Sequence, residues 1–429
     1  MVASQRVRRN ARGSGDGTHD LAGTRSPNGR EVSDFGGPHK LRIAVVSSHP
    51  VPYHVPMYRE LAARSEVELE VLFTHDHGVK ETFDAGFGRV VKFDVPLLEG
   101  YPHRFLRNVA ATPGFSFLGQ VNPELPLAIG RGSYDAVVVH GYSVASTLAA
   151  LVGPRSRRTR VLLRSESNLL NKRPFRTRAT KQLLIRALFS RIDHFLAIGT
   201  KSREYFRAYG VHPERITLAP YTVDNAWFEQ RSADARRDPA AARRRLGLPT
   251  DRVLFLYCSK IAKHKRPLDV LRAFVRSRAP GSLVYVGEGE QMQELRSEIA
   301  RAGVEQDVRL LGFRNQSELP EIYGACDVFV QPSELEPWGM VVNEAMASGM
   351  AVCASDRVGS AYDLVSDNGA MFRMGDIEQL ANLFSKWASS REEVDRMKAA
   401  SAARIRLWSP RETADGVVAA ARAAFQESR

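Results

Sequence analysis

The densest set of reactive side chains lies in the run QPSELEPWGMVVNEAMASG, from Gln331 to Gly349. A strand ends near Gln331, and a polar loop with Glu334, Glu336 and Pro337 follows. Trp338 and Gly339 then lead into a helix, Met340–Ala347, ended by Gly349. Backbone N–H groups at such a helix start have no intrahelical partner, and the helix dipole adds positive potential. This is an anion site, suited to a diphosphate, and Gly339 allows close approach. Glu336 precedes the helix and Glu344 lies inside its first turns, so both face one ligand from different heights. Carboxylates accept hydrogen bonds from vicinal hydroxyls, as on a sugar or a ribose. Glu334 reads as an ordinary surface acid.

Further candidates lie in the first half. Arg164 and Glu166 end an apolar strand, where they can meet an acceptor or a sugar. His49 and His54 lie in a loop stiffened by Pro50, Pro52 and Pro56 and are candidates for the same contacts. His75 and His77 have metal-like spacing, but nothing nearby completes a site, so they read as solvated. Lys201 and Arg203 read as exposed.

The elements that must position these groups alternate. Short apolar blocks rich in β-branched residues read as buried parallel strands. They are Leu41–Ser48, Val67–Phe73, Ala136–His140, Val161–Arg164, Phe195–Ile198 and Ile216–Leu218. A second series follows: Val253–Cys258, Ser282–Val286, Val308–Leu311, Val328–Gln331 and Ala351–Ala354. Helical stretches separate many of them, among them Ala145–Leu151, Thr180–Phe189 and Leu268–Val275. The pattern predicts two α/β domains with mainly parallel sheets. Residues 1–39 read as a disordered tail and 40–228 as the first domain. Residues 229–250 read as a linker with one short helix, and 251–405 as the second domain. The segment 406–429 holds a last helix, with Ser409 as N-cap and Pro410 at its first position, running to about Phe425. In open parallel sheets, ligands bind beyond the carboxyl ends of the strands.

Several classes are excluded or disfavoured. The first strand is followed by Ser47-Ser48-His49-Pro50, not by G-x-G-x-x-G, which argues against a nicotinamide or flavin enzyme. No Walker-type loop occurs. Cys258, Cys326 and Cys353 read as reduced core thiols. The chain of 429 residues carries a net charge of +13, which favours anionic partners. Its basic clusters lack interleaved aromatic residues, so no nucleic-acid partner is expected.

The Glu336–Glu344 cluster resembles the E-x7-E motif of the family 4 retaining glycosyltransferases, which have the GT-B fold. Other stretches resemble that family in the same order. Phe255–Lys265 is similar to its strand and basic loop, in which an arginine and a later lysine hold the donor diphosphate; Lys260 and Lys265 stand there. Val284–Gly289 matches its V-G-x-G turn, and Val308–Phe313 its strand ending at the nucleobase pocket. Leu196–Phe228 resembles the end of its first domain.

The resemblance implies two Rossmann-like domains facing a cleft, with the last helix crossing back to the first domain. It implies that Glu344 binds the ribose, Glu336 the transferred sugar, and Lys260 and Lys265 the leaving diphosphate. Backbone groups at Gly312, Phe313 and Arg314 would read the base. Trp338 and the amides at Gly339, Met340 and Val341 would complete the donor site, and His140 would face the sugar or acceptor. The implied reaction moves a hexose-type sugar, with retention and without metal or cofactor. The donor is a nucleotide-sugar, UDP- or GDP-linked, and the acceptor a glycan, a lipid-linked molecule or a small molecule. The expected location is cytoplasmic, peripheral at the inner face of an anionic membrane. Lysine at 260 loses arginine's bidentate fork, and Ser47-Ser48 replace the family's usual glycines. The alternative, a non-catalytic sugar-nucleotide-binding or scaffold protein, would show as loss of the acids or cations, and all four are present. No D-x-D occurs in the chain, which agrees with a cationic clamp in place of a metal.

Overall fold

The computed structural model describes residues 40–84, 88–170 and 175–426. The expected disordered tail and the start of the basic cluster at 172–181 lie outside it. In the first half the strands are β1 (Leu41–Ser47), β2 (Val67–Phe73), β3 (Thr82–Asp84), β4 (Arg89–Val91), β5 (His103–Phe105), β6 (Ala136–His140), β7 (Arg160–Ser165), β8 (His194–Ala197) and β9 (Ile216–Leu218). All but β3 and β4 form a parallel sheet in the order β5-β2-β1-β6-β7-β8-β9. β3 and β4 pair separately and antiparallel.

The second half has β10 (Val253–Cys258), β11 (Gly281–Val286), β12 (Val308–Leu310), β13 (Val328–Gln331), β14 (Ala351–Ser355) and β15 (Gly369–Phe372). They form a parallel sheet ordered β12-β11-β10-β13-β14-β15. Successive side chains of a strand point to opposite faces, and both faces are covered. Ile43 and Val45 enter one core, Ala44 and Val46 another. Leu254 and Leu256 likewise part from Phe255 and Tyr257. This double burial explains the unbroken apolar runs in the sequence.

Each sheet grows outward in both directions from its first strand, which leaves a crevice where the direction reverses. In the first sheet this switch lies between β1 and β6, at the loops carrying His54 and His140. In the second it lies between β10 and β13, at the loops carrying Lys265 and Glu336.

The expected linker is not one. Residues 229–250 carry most of one helix, Asn225–Arg237, and all of another, Pro239–Arg245. Asp224 and Asp238 cap them through their side chains. Both pack on the helix Leu319–Ala325. Arg243 is buried and reaches Asp327 at 2.7 Å. The charge that made this segment look like a tether is partly spent on fixing it to the second sheet.

The last helix, Pro410–Gln426, packs on β7, β8 and β9. Thr413 donates to the Pro220 carbonyl at 2.7 Å. At Gly416 the helix touches the Leu218 backbone so closely that a Cβ would lie 2.1 Å from its carbonyl oxygen. Gly416→Val should therefore cost about 1–3 kcal/mol through overpacking, read as a lower midpoint in thermal or urea unfolding. An unchanged midpoint would contradict this contact.

Candidate glycosyl-transfer site

The second-domain half of the site is three laced loops. Ser259 N–H donates to the Val286 carbonyl at 3.1 Å, Ile261 N–H to Glu288 at 2.9 Å and Gly287 N–H to Gly312 at 2.8 Å. Lacing this tight leaves no room for a side chain at 287. A Cβ there would sit 2.0 Å from the Ser259 carbonyl oxygen, and φ is +133°. The loop after β10 ends in the turn Lys263–Lys265. Lys265 Nζ contacts Glu336 Oε2, and Gln331 Nε2 donates to the same oxygen at 3.3 Å. Lys260 stands at the start of this loop, where its carbonyl accepts from Tyr257 at 2.8 Å.

The helix Met340–Ala347 begins at Gly339, with φ +92°, and no side chain among the described residues caps it. Glu344 is buried. Its oxygens accept from Tyr323 Oη at 2.9 Å and Gln316 Nε2 at 3.2 Å. Burial raises its pKa, against the pull of those two bonds. Glu344 lines a cavity of about 190 Å³ together with Ser259, Gly287, Phe313, Arg314 and Val341. Arg314 is paired with Glu318 at 2.9 Å.

Trp338 departs from expectation. Its indole is buried and donates to Asn343 Oδ1 at 2.9 Å. The residue can offer a ligand only its backbone, because the ring is core.

In the first domain, the His54 and His140 rings lie with centroids 4.4 Å apart and planes inclined by 51°. All four of their ring nitrogens are buried without a hydrogen-bond partner among the described residues. Arg164 is also corrected. It is 2% exposed, donates to the carbonyls of Ala219 and Pro220 at 3.1 and 2.8 Å, and lies over the Tyr221 ring at 4.5 Å. Its Nη2 clamps the crossing to the second domain, while Nη1 faces the Met57 sulfur at 3.5 Å. Glu166 keeps an open edge to the cleft, yet crowding around its carboxylate raises its pKa, and Glu336 adds to the rise. Asn168 Nδ2, on the same loop, donates to the Pro337 carbonyl at 3.2 Å, which brings the two loops together.

His49 joins neither group. It packs against His77, with centroids 5.3 Å apart, and against Phe115 at 4.9 Å. His75 stacks on the same phenyl ring at 6.0 Å. His75 and His77 are thus half-buried partners of His49, not solvated side chains. Tyr53, whose ring lies 4.7 Å from that of His54, and Tyr323 and Gln316 at Glu344 were not anticipated, because each stands alone, with no local motif to announce it.

Two family models match. "Glycosyl transferase 4-like domain" covers residues 50–222 and "Glycosyl transferases group 1" covers 238–404. The chain belongs to the family 4 glycosyltransferases of GT-B fold. Named relatives include the D-inositol 3-phosphate glycosyltransferases of Stackebrandtia nassauensis, 33% identical, and Thermobifida fusca, 28% identical. The first match spans about half of each chain, 49% and 49%. The second spans 90% of this chain and 94% of the relative. Among solved structures, a Rickettsia africae glycosyltransferase superposes with TM-score 0.66 at 13% identity, over 90% of this chain and 99% of its own. Anabaena HepE in complex with UDP gives 0.65 at 20% identity, over 89% and 98%. No helix among the described residues is long and apolar enough to cross a membrane.

The buried imidazoles should make the first domain sensitive to acid. Burial, then His77 and His75, lowers the His49 pKa to about 4. Burial, then neighbouring His140 and Arg164, holds His54 well below its ordinary value, and burial with Arg164 does the same to His140. Unfolded imidazoles titrate near 6.5. The unfolded chain therefore takes up protons first, and this stabilisation, complete above about pH 6.5, is lost as the pH falls toward 4. Thermal unfolding between pH 7.5 and 4.5 should show a steadily falling midpoint. A flat profile would contradict neutral burial of these rings.

Proposed function

We propose that the chain transfers a hexose-type sugar from a nucleoside diphosphate sugar to a hydroxyl acceptor, with retention and without a metal. One observation carries this reading. Lys265 meets Glu336 at the switch point of the second sheet, and the helix that follows the Glu336 loop, uncapped by any described side chain, carries Glu344 into a cavity of its own. Breaking the anomeric C–O bond leaves negative charge on the diphosphate. Fixed cations and a helix N-terminus stabilise that charge where it develops. Lys265 and Lys260 serve as those cations, with the amides of Met340 and Val341.

On donor binding, Lys265 exchanges the Glu336 carboxylate for phosphate. Glu336 is then released to accept hydroxyls of the sugar, and Glu344 those of the ribose. The acceptor oxygen bonds to the anomeric carbon on the face that the phosphate leaves, and the acceptor proton passes to the departing phosphate oxygen. His54, His140 and Glu166 line the acceptor side. HepE, seen with UDP, makes a UDP-sugar the first donor to try. The relatives' names make inositol 3-phosphate a first acceptor to try.

Calorimetric titration with UDP, GDP, ADP and their sugar conjugates, in the presence of a chelator, tests the reading. One nucleotide should bind, and Glu344→Gln should weaken it by about 1.5–3 kcal/mol, the value of hydrogen bonds to a charged group. Lys265→Ala should lower turnover by roughly 10²–10³, as loss of one charge-stabilising donor does. Binding of none of these nucleotides would contradict the assignment.

A further inference from the structure

The first domain sends a strap, residues 88–96, against the loop that follows β12. The Arg89 guanidinium lies over the Phe313 ring at 4.6 Å. The Lys92 carbonyl accepts from Asn315 Nδ2 at 2.8 Å. Asp94 accepts from the Ser317 N–H at 3.1 Å and from its hydroxyl. The far end is tied to its own domain, since Arg59 Nη2 donates to the Pro96 carbonyl at 2.9 Å.

Between these fixed points stands Phe93. It is half-buried, and with His77 and Gly78 it forms the first-domain wall of the cavity that Glu344 lines. Its position is held from behind. Gly78, at φ +85°, would bring a Cβ within 3.3 Å of the phenyl ring. A half-buried aromatic ring in the wall of a cavity that Val286, Phe313, Leu319 and Val341 also line is a stacking platform for a planar ring.

We propose that Phe93 is a donor-contacting residue, supplying a stacking face for the nucleobase. Base recognition is then shared between the domains, and the strap's polar contacts at Asn315 and Ser317 couple it to closure of the cleft. This rests on the nucleotide-sugar reading above and adds a contact from the first domain.

The test uses the full chain, titrated with UDP, GDP and ADP, and follows whichever binds tightest. Phe93→Ala should weaken that nucleotide by about fivefold or more, the loss typical of one base–aromatic stack. Phe93→Trp should keep wild-type affinity, and the indole it introduces should be quenched by the nucleotide beyond the wild-type signal. Unchanged affinity in Phe93→Ala overturns the proposal, as does an indole at 93 that the nucleotide leaves unquenched. If Phe93→Ala fails to fold, the quenching result decides. A wild-type chain that binds none of the three overturns the donor reading itself, a different failure from wild-type binding that ignores position 93.

Discussion

A lysine and a carboxylate held together in a nearly closed crevice govern the second domain's design. Lys265 and Glu336 keep only 16% and 14% of their side-chain surface. Withdrawing two charges from water costs several kcal/mol each unless geometry and further hydrogen bonds repay it. Gln331 repays part of it at the Glu336 oxygen. The rest comes from fixing the loops after β10 and β13, as when Glu334 N–H donates to the His264 carbonyl at 2.9 Å. A pair held this way is already arranged for exchange. On the proposed function, a diphosphate would offer the lysine more negative charge than the carboxylate does.

Around that pair the fold brings together loops far apart in sequence. The two sheets present their switch points to one cleft, and contacts between the domains span it. Asn168 meets Pro337, and Asn343 Nδ2 donates to the Tyr221 carbonyl at 3.1 Å. Asp363 accepts from both the N–H and the hydroxyl of Thr200, capping the helix Thr200–Ala208 from the other domain. The C-terminal helix closes the loop by returning to β8 and β9.

Much of this was legible from sequence where the signal was local. β2, β6, β10 and β13 match their expected bounds residue for residue, as does the helix Met340–Ala347, because buried parallel strands leave unbroken apolar runs. The loops holding Lys265 and Glu336 and the helix holding Glu344 could be placed for a similar reason, since each directly adjoins one of these unbroken runs or matches its expected bounds. The strands His103–Phe105 and Gly369–Phe372 were not, since each is a short sheet edge whose pairing comes from its neighbour. The helices at 225–245 were masked by charge that only tertiary contact makes useful. Trp338 and Arg164 were misjudged because type and position do not tell which way a side chain turns. Phe93 and Tyr323 had no signal at all, because their partners lie in other loops.

The central claim is donor cleavage with retention by a cationic clamp, and it can be tested without knowing the acceptor. Incubating the chain with an α-linked UDP-hexose and a chelator lets water act as acceptor, and proton NMR follows the anomeric signal of the sugar first released. The account predicts early appearance of the α-anomer, at a rate the chelator leaves unchanged and Lys265→Ala suppresses. First appearance of the β-anomer, or cleavage only when a divalent metal is added, would contradict it.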